Sequence, residues 1–163
     1  MKKGLLTIKK ALWILFTAAV LLALPACGGL GENGDGKPKT TSASGDMVTA
    51  ELPSGWSLVS GTDMNGVDLA DFICHAEEFE LGDPYLQAQE YFGGIEAARA
   101  VLESEDPYGT YYGEKELGGV IWYLTENAAA AQLGEKALLV KGYQCDFESE
   151  EVQSILGSLH WIN

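Results

Sequence analysis

The chain has 163 residues, of which 24 are acidic and ten are basic, so its formal charge at neutral pH is −14. A field of this sign repels phosphate backbones and anionic lipid surfaces, and it excludes nucleic-acid-binding classes, which need a basic footprint. Cationic ligands, basic peptides and divalent ions are the compatible partners. The alternative explanation of the high charge is that it only keeps the protein soluble.

The first predicted element is a cleaved export signal. Four lysines within the first ten residues precede a fourteen-residue apolar run, Ala11–Leu24. A membrane-spanning helix needs about 20 apolar residues, whereas about 7–15 followed by a small residue are typical of a signal peptide. We therefore expect residues 1–26 to be removed, which leaves six basic residues against 24 acidic ones, a formal charge of −18. An uncleaved anchor is the alternative.

The signal ends in Leu24-Pro25-Ala26-Cys27, which resembles the lipobox of bacterial lipoproteins. Leu24 lies three residues before the cysteine and Ala26 directly before it. The resemblance implies that Cys27 becomes a lipid-carrying N-terminus and that the protein is held on the outer face of the cell membrane. Pro25 departs from the family pattern, in which a small or β-branched residue is commoner. Slow processing, or export without acylation, therefore remains open.

Residues 27–46 are predicted to be a flexible tether. The stretch Gly28–Asp46 is rich in Gly, Ser, Thr, Asn and Asp and has no aromatic residue. Such a composition cannot bury enough apolar surface to fold. A coil of about 20 residues has a root-mean-square reach of roughly 25 Å, enough to hold a domain clear of lipid headgroups.

The remaining 117 residues, Met47–Asn163, suit a single domain. Runs of Val, Leu and aromatic residues between Pro and Gly turns predict its strands. These are Met47–Leu52, Trp56–Ser60, Asp68–Ala76, Thr110–Leu117, Val120–Thr125, Glu135–Tyr143 and a short terminal strand, His160–Ile162. Gly118-Gly119 has the spacing of a two-residue hairpin loop.

Two helices complete the predicted elements. The first begins with Asp83 as N-cap and Pro84 at the first helical position, and the Gly93-Gly94 pair divides it into two pieces. Its apolar face is formed by Tyr85, Ala88, Phe92, Ile95, Ala98 and Leu102, at spacings of three and four. The second is Glu150–Leu159, whose first turn is acidic, as the helix dipole favours. A further helical turn is predicted at Ala128–Ala131.

These elements predict an α+β domain with an antiparallel sheet of about six strands and two helices packed against it. The Pro53-Ser54-Gly55-Trp56 turn, the Gly118-Gly119 hairpin and the closing helix resemble the PsbP/Mog1-like α/β/α sandwich found in small bacterial lipoproteins. The resemblance covers Met47–Asn163. It implies an accessory or binding role and transfers no functional residue.

The sequence contains few patterns that are typical of a catalytic site. Cys74 and His75 are adjacent, but neighbouring side chains of a strand point to opposite faces, so they form no dyad unless the backbone bulges. Ser54 lacks the sequence context of a nucleophile elbow. The acidic side chains of Glu77, Glu78, Glu80 and Asp83 are expected to form a solvated loop, weak cation binding being the alternative. We predict no catalytic residue, cofactor or metal site.

Three tyrosines suggest a ligand surface. Tyr108, Tyr111 and Tyr112 lie close together around a turn, which is expected to expose them to a protein, peptide or glycan; half-burial in the sheet is the alternative.

Two cysteines suggest a disulfide. Cys74 and Cys145 are the thiols left once Cys27 carries lipid. An exported domain favours their pairing, which requires their strands to be adjacent; two unpaired core thiols are the alternative.

The sequence thus indicates a membrane-anchored, acidic binding or accessory domain with an unidentified ligand. The rival hypothesis is an envelope hydrolase or metal-dependent enzyme whose site is assembled from residues distant in sequence. A cavity that joins His75 or His160 to acidic side chains favours the enzyme.

Overall fold

The computed structural model describes residues 39–61, 70–76, 78, 80 and 82–162. The predicted signal and Cys27 lie outside this range. The predicted α+β class and the antiparallel sheet are confirmed, and the described residues form ten strands and two helices. The strands are β1 Thr40–Ser44, β2 Val48–Pro53, β3 Ser57–Val59, β4 Asp71–Cys74, β5 Tyr85–Glu90, β6 Tyr111–Leu117, β7 Val120–Thr125, β8 Ala128–Leu133, β9 Lys136–Tyr143 and β10 His160–Trp161; the helices are α1 Gly94–Glu103 and α2 Glu150–Gly157.

Seven strands form the larger sheet, in the order β3-β4-β5-β9-β8-β7-β6, with every neighbouring pair antiparallel. The predicted hairpin at Gly118-Gly119 is confirmed and joins β6 to β7. Both glycines have positive φ, +61° and +80°, as the favoured two-residue hairpin turn requires.

A smaller sheet has the order β1-β2-β10. Its first strand, Thr40–Ser44, lies within the segment predicted to be a flexible tether and pairs with five of the six residues of β2. The folded domain therefore begins before Met47, and the predicted boundary at residue 46 is wrong. The polar composition of β1 does not predict a strand. Its conformation depends on backbone hydrogen bonds to β2.

The two faces of the larger sheet are covered differently. Helix α2 and the small sheet pack on one face, where Trp122, Leu138 and Phe147 are fully buried. Helix α1 packs on the opposite face and buries Ala98 and Leu102 against β8 and β9. Both faces of the central strands are therefore apolar, which explains why β8 is an almost continuous buried run.

Three predicted elements are corrected by the structure. Tyr85–Glu90 is strand β5 rather than the first part of a helix: it pairs with β4 on one edge and β9 on the other. Asp83 accepts a hydrogen bond from the Glu80 amide at 2.8 Å and so caps a turn instead of a helix. Ala128–Ala131 is a strand because it lies between β7 and β9, where tertiary pairing overrides the helix propensity of alanine.

The closing helix is confirmed, with a cap that fixes its start. Ser149 is the N-cap, and its hydroxyl accepts a hydrogen bond from the Val152 amide at 3.3 Å. Glu150 and Glu151 occupy the first turn, where they oppose the positive end of the helix. The chain then enters β10, which pairs with β2 and not with the larger sheet.

One buried carboxylate joins the two sheets. Asp71 of β4 is fully buried and accepts three backbone hydrogen bonds from the end of the β1–β2 loop and the first residue of β2: from Asp46 at 2.9 Å and from Met47 and Val48 at 2.8 Å each. Gly45 lies directly against this carboxylate, and a β-carbon there would overlap it. Three N–H donors thus satisfy a buried acid in place of water.

Candidate functional site

A groove of about 890 Å³ lies between the C-terminal strand β10 and the turn that joins β8 to β9. We define the β10 groove by Val120, Leu133, Glu135, Lys136, His160, Trp161 and Ile162. Leu133 is 7 % exposed, whereas the Ile162 side chain is 41 % exposed at the rim. The groove thus combines an apolar floor with polar and charged walls, the composition typical of ligand sites.

Lys136 is the cation of the β10 groove, and its charge is already paired. Its ammonium lies 2.9 Å from a carboxylate oxygen of Glu90 and 5.3 Å from the ring centroid of Trp161. Trp161 is half-buried against the core, and its indole N–H lacks a partner among the described residues. One face of the ring is therefore occupied, so Trp161 is not a free platform on which a sugar could stack.

The predicted tyrosine surface is not assembled. Tyr108 and Tyr111 are half-buried against the α1 side of the sheet, the alternative that the sequence left open. Tyr112 is 44 % exposed, because it occupies an irregularity in the β6–β7 register between Tyr111 and Gly113. Loss of water and the nearby carboxylates of Glu148, Glu126 and Asp146 raise the pKa of Tyr112. Only one of the three tyrosines is thus available to a ligand.

Cys74 and His75 do not meet. Cys74 is fully buried in a small cluster with Ala70 and Phe72, while the His75 ring lies on Trp56 at a centroid distance of 4.9 Å. Burial, followed by the charge of Asp83, raises the pKa of the Cys74 thiol to about 11. A thiol with a raised pKa is a poor nucleophile at neutral pH, so the geometry offers no Cys-His pair.

Cys74 and Cys145 are both free thiols in the structure. A disulfide between them was expected to require that the strand of Cys74 lie beside the end of β9, but β5 lies between β4 and β9. Cys74 is the register partner of Tyr85, and the Cys145 thiol donates to the carbonyl of Tyr85 at 3.3 Å. The strand β5, which the sequence suggested was helical, thus lies between β4, which carries Cys74, and β9, which ends two residues before Cys145.

We expect two free, protected thiols in the Cys27→Ala chain. Burial raises the pKa of both Cys74 and Cys145 from 9.0 to about 11. Their contribution to stability is therefore fully present below pH 9 and is lost as the pH rises through about 11. At pH 8 a thiol reagent should react slowly with the native chain and with two thiols after denaturation without reductant. Finding none after denaturation would instead support the predicted disulfide.

The predicted acidic loop holds no recognisable metal site within its described part. Glu77 lies outside the described residues, while Glu78 and Glu80 are exposed. In the part of the chain that the structure describes, no group of three or more His, Cys, Asp or Glu side chains is placed to hold a metal ion. No helix among those residues has the length and apolar character needed to cross a membrane.

His160 was a candidate from the sequence, but the contact between the Lys136 ammonium and the Trp161 ring was not predicted. Lys136 follows the turn at Gly134-Glu135, and Trp161 lies 25 residues further along the chain. No local motif links them, because the contact depends on β10 joining the small sheet. Comparisons of the chain with protein-family models, with curated proteins and with solved structures found no match.

Proposed function

We propose that the protein is an exported bacterial lipoprotein, anchored through Cys27, whose domain is a binding or accessory module that takes its ligand in the β10 groove. The observation that carries the binding role is the groove itself, at about 890 Å³ and of mixed lining. The anchoring rests on the resemblance of Leu24-Pro25-Ala26-Cys27 to a lipobox.

The position of the chain's N-terminal side supports the combination. Thr40 pairs with Pro53 at one end of β2, whereas Trp161 pairs with Val48 at the other end. Val48 and Pro53 are five residue steps apart along β2, which corresponds to about 17 Å. Thr40, near the start of the described chain, therefore lies at the end of β2 that is away from the β10 groove.

One observation favours the hydrolase alternative. His160 and Glu135 both line the β10 groove, which is the juxtaposition of histidine and acid that an enzyme would need. No hydrogen bond joins the two side chains within the described residues, and no serine, threonine or cysteine is among the groove's lining residues. The binding role therefore fits the groove better.

A photo-crosslinking experiment in cells tests both parts of the proposal. We expect a benzoylphenylalanine at Ile162 to give a discrete adduct, and the same group at Glu126, at the other end of β7, to give none. The wild-type chain should partition into detergent with a mass increase of at least a diacylglycerol, and Cys27→Ala should be released or unprocessed. Adducts at both positions or at neither would contradict the proposal that the ligand binds in the β10 groove. A soluble, lipid-free wild type would contradict the proposal that Cys27 carries a lipid anchor.

A further inference from the structure

The outer edge of β10 carries backbone groups that the small sheet does not use. The Ile162 amide donates to the Met47 carbonyl at 2.9 Å, next to the Trp161–Val48 register pair. In an antiparallel pair, successive residues point their N–H and C=O groups alternately toward and away from the partner strand. The N–H and C=O of Trp161 therefore point away from β2. Within the described residues no strand pairs with β10 on that side.

The β10 groove lies along this same edge. Its lining includes all of His160, Trp161 and Ile162 but no residue of β2, so it occupies the side of β10 that faces away from the small sheet. Across the groove lie the nearly buried Leu133 and the half-buried Val120. A chain running beside β10 would thus meet a backbone edge on one side and an apolar floor below.

The charge of the groove selects the sign of the ligand. Lys136 is neutralised by Glu90 at 2.9 Å, whereas Glu135 is exposed at the turn and forms no ion pair within the described part. The whole chain carries an excess of 14 negative charges. A ligand with basic side chains therefore matches both the local charge and the field of the protein.

We infer that the β10 groove binds an extended, basic peptide segment, which pairs with Trp161 as a fourth strand of the small sheet. Strand addition of this kind takes affinity from main-chain hydrogen bonds and specificity from alternate side chains. Apolar side chains of the peptide would rest on Leu133 and Val120, and its basic ones would lie toward Glu135. The inference deepens the proposed function and rests on it. Lys136 covers one face of Trp161, which favours a peptide over a glycan.

The test measures binding of three labelled peptides to the full chain by fluorescence anisotropy. The probes are acetyl-(Val-Lys)₃-amide, its glutamate counterpart, and the lysine peptide with every backbone amide methylated. We expect the lysine peptide to bind and the acidic peptide to fail. Methylation removes the backbone donor to Trp161 and should weaken binding about fivefold to tenfold. Equal binding of the methylated peptide would overturn strand pairing.

Matched variants place the peptide in the groove. Glu135→Gln should weaken the lysine peptide about twofold to fivefold, and Glu126→Gln, which makes the same charge change at the other end of β7, should leave binding unchanged. Equal weakening by both would reduce the effect to bulk charge and overturn the inference. So would a dimer of the chain that Ile162→Lys abolishes, because a second copy would then fill the edge. Crosslinking at Ile162 without binding of the lysine peptide would overturn the inference that the ligand is a basic peptide. It would leave the proposed function intact.

Discussion

Replacing Asp71 by asparagine is expected to lower the free energy of unfolding by about 3–4 kcal/mol, because hydrogen bonds to a charged acceptor are each worth about 1.5–3 kcal/mol. The carboxylate accepts hydrogen bonds from three consecutive amides where the β1–β2 loop enters β2. An asparagine side chain keeps one acceptor oxygen and turns its amide group toward a remaining N–H donor. At least one buried donor then loses its partner.

Urea denaturation of Asp71→Asn beside Asp106→Asn tests this effect. Asp106 is exposed, so its substitution removes the same charge without touching a buried hydrogen bond. We expect the Asp106 variant to stay within about 0.5 kcal/mol of the wild type. If Asp71→Asn were as stable as the wild type, the cost of burying the carboxylate would offset the gain from its three hydrogen bonds.

The same substitution should also disturb the groove. Met47 and Val48, two of the three donors to Asp71, are register neighbours of the C-terminal strand: Val48 pairs with Trp161, and the Met47 carbonyl accepts from Ile162. Loosening the loop therefore loosens the edge proposed to receive a peptide. Hydrogen exchange at the Ile162 amide should accelerate in Asp71→Asn and not in Asp106→Asn.

The second large effect is expected at the β6–β7 turn. In Gly118→Ala the new methyl group would overlap the carbonyl of Gly157 at the end of α2, whereas at Gly119 it would meet nothing within 4 Å. Both glycines have positive φ, so each substitution costs about 1–2 kcal/mol of backbone strain. The clash at Gly118 adds about 1–3 kcal/mol, the usual cost of overpacking.

Gly119→Ala is thus the internal control for Gly118→Ala. The difference between their unfolding free energies, measured in urea, isolates the contact between the hairpin turn and α2. We expect Gly118→Ala to be the less stable by about 1–3 kcal/mol. Equal destabilisation would mean that α2 moves away without cost and that the turn does not position the helix.

Elements with strong local signals could be predicted from the sequence. The hairpin between β6 and β7 is encoded by Gly118-Gly119, since only glycine readily takes positive φ at both turn positions. Helix α2 is encoded by its apolar spacing and acidic first turn. The α+β class and the antiparallel sheet follow from such elements. Lipidation of Cys27 stays a prediction, because it depends on a motif outside the described residues.

Strands β1, β5 and β8 could not be predicted, because their conformation depends on their neighbours. Tyr85–Glu90 has apolar spacings that suit a helix when combined with the residues after it. In the fold, β4 and β9 supply partners on both its edges. Ala128–Ala131 has high helix propensity, but burial between two strands outweighs a preference worth only tenths of a kcal/mol per residue.

The sequence by itself determined the acidic charge, the fold class and the elements closed by glycine turns and caps, because each of these is a local or compositional property; the export signal stays a prediction. Only the tertiary structure decided which residues face a ligand. It separated Tyr112 from Tyr108 and Tyr111, placed β5 between β4 and β9, and brought Lys136 onto Trp161. These contacts depend on how distant strands pair, and strand order is set by the packing of the whole core.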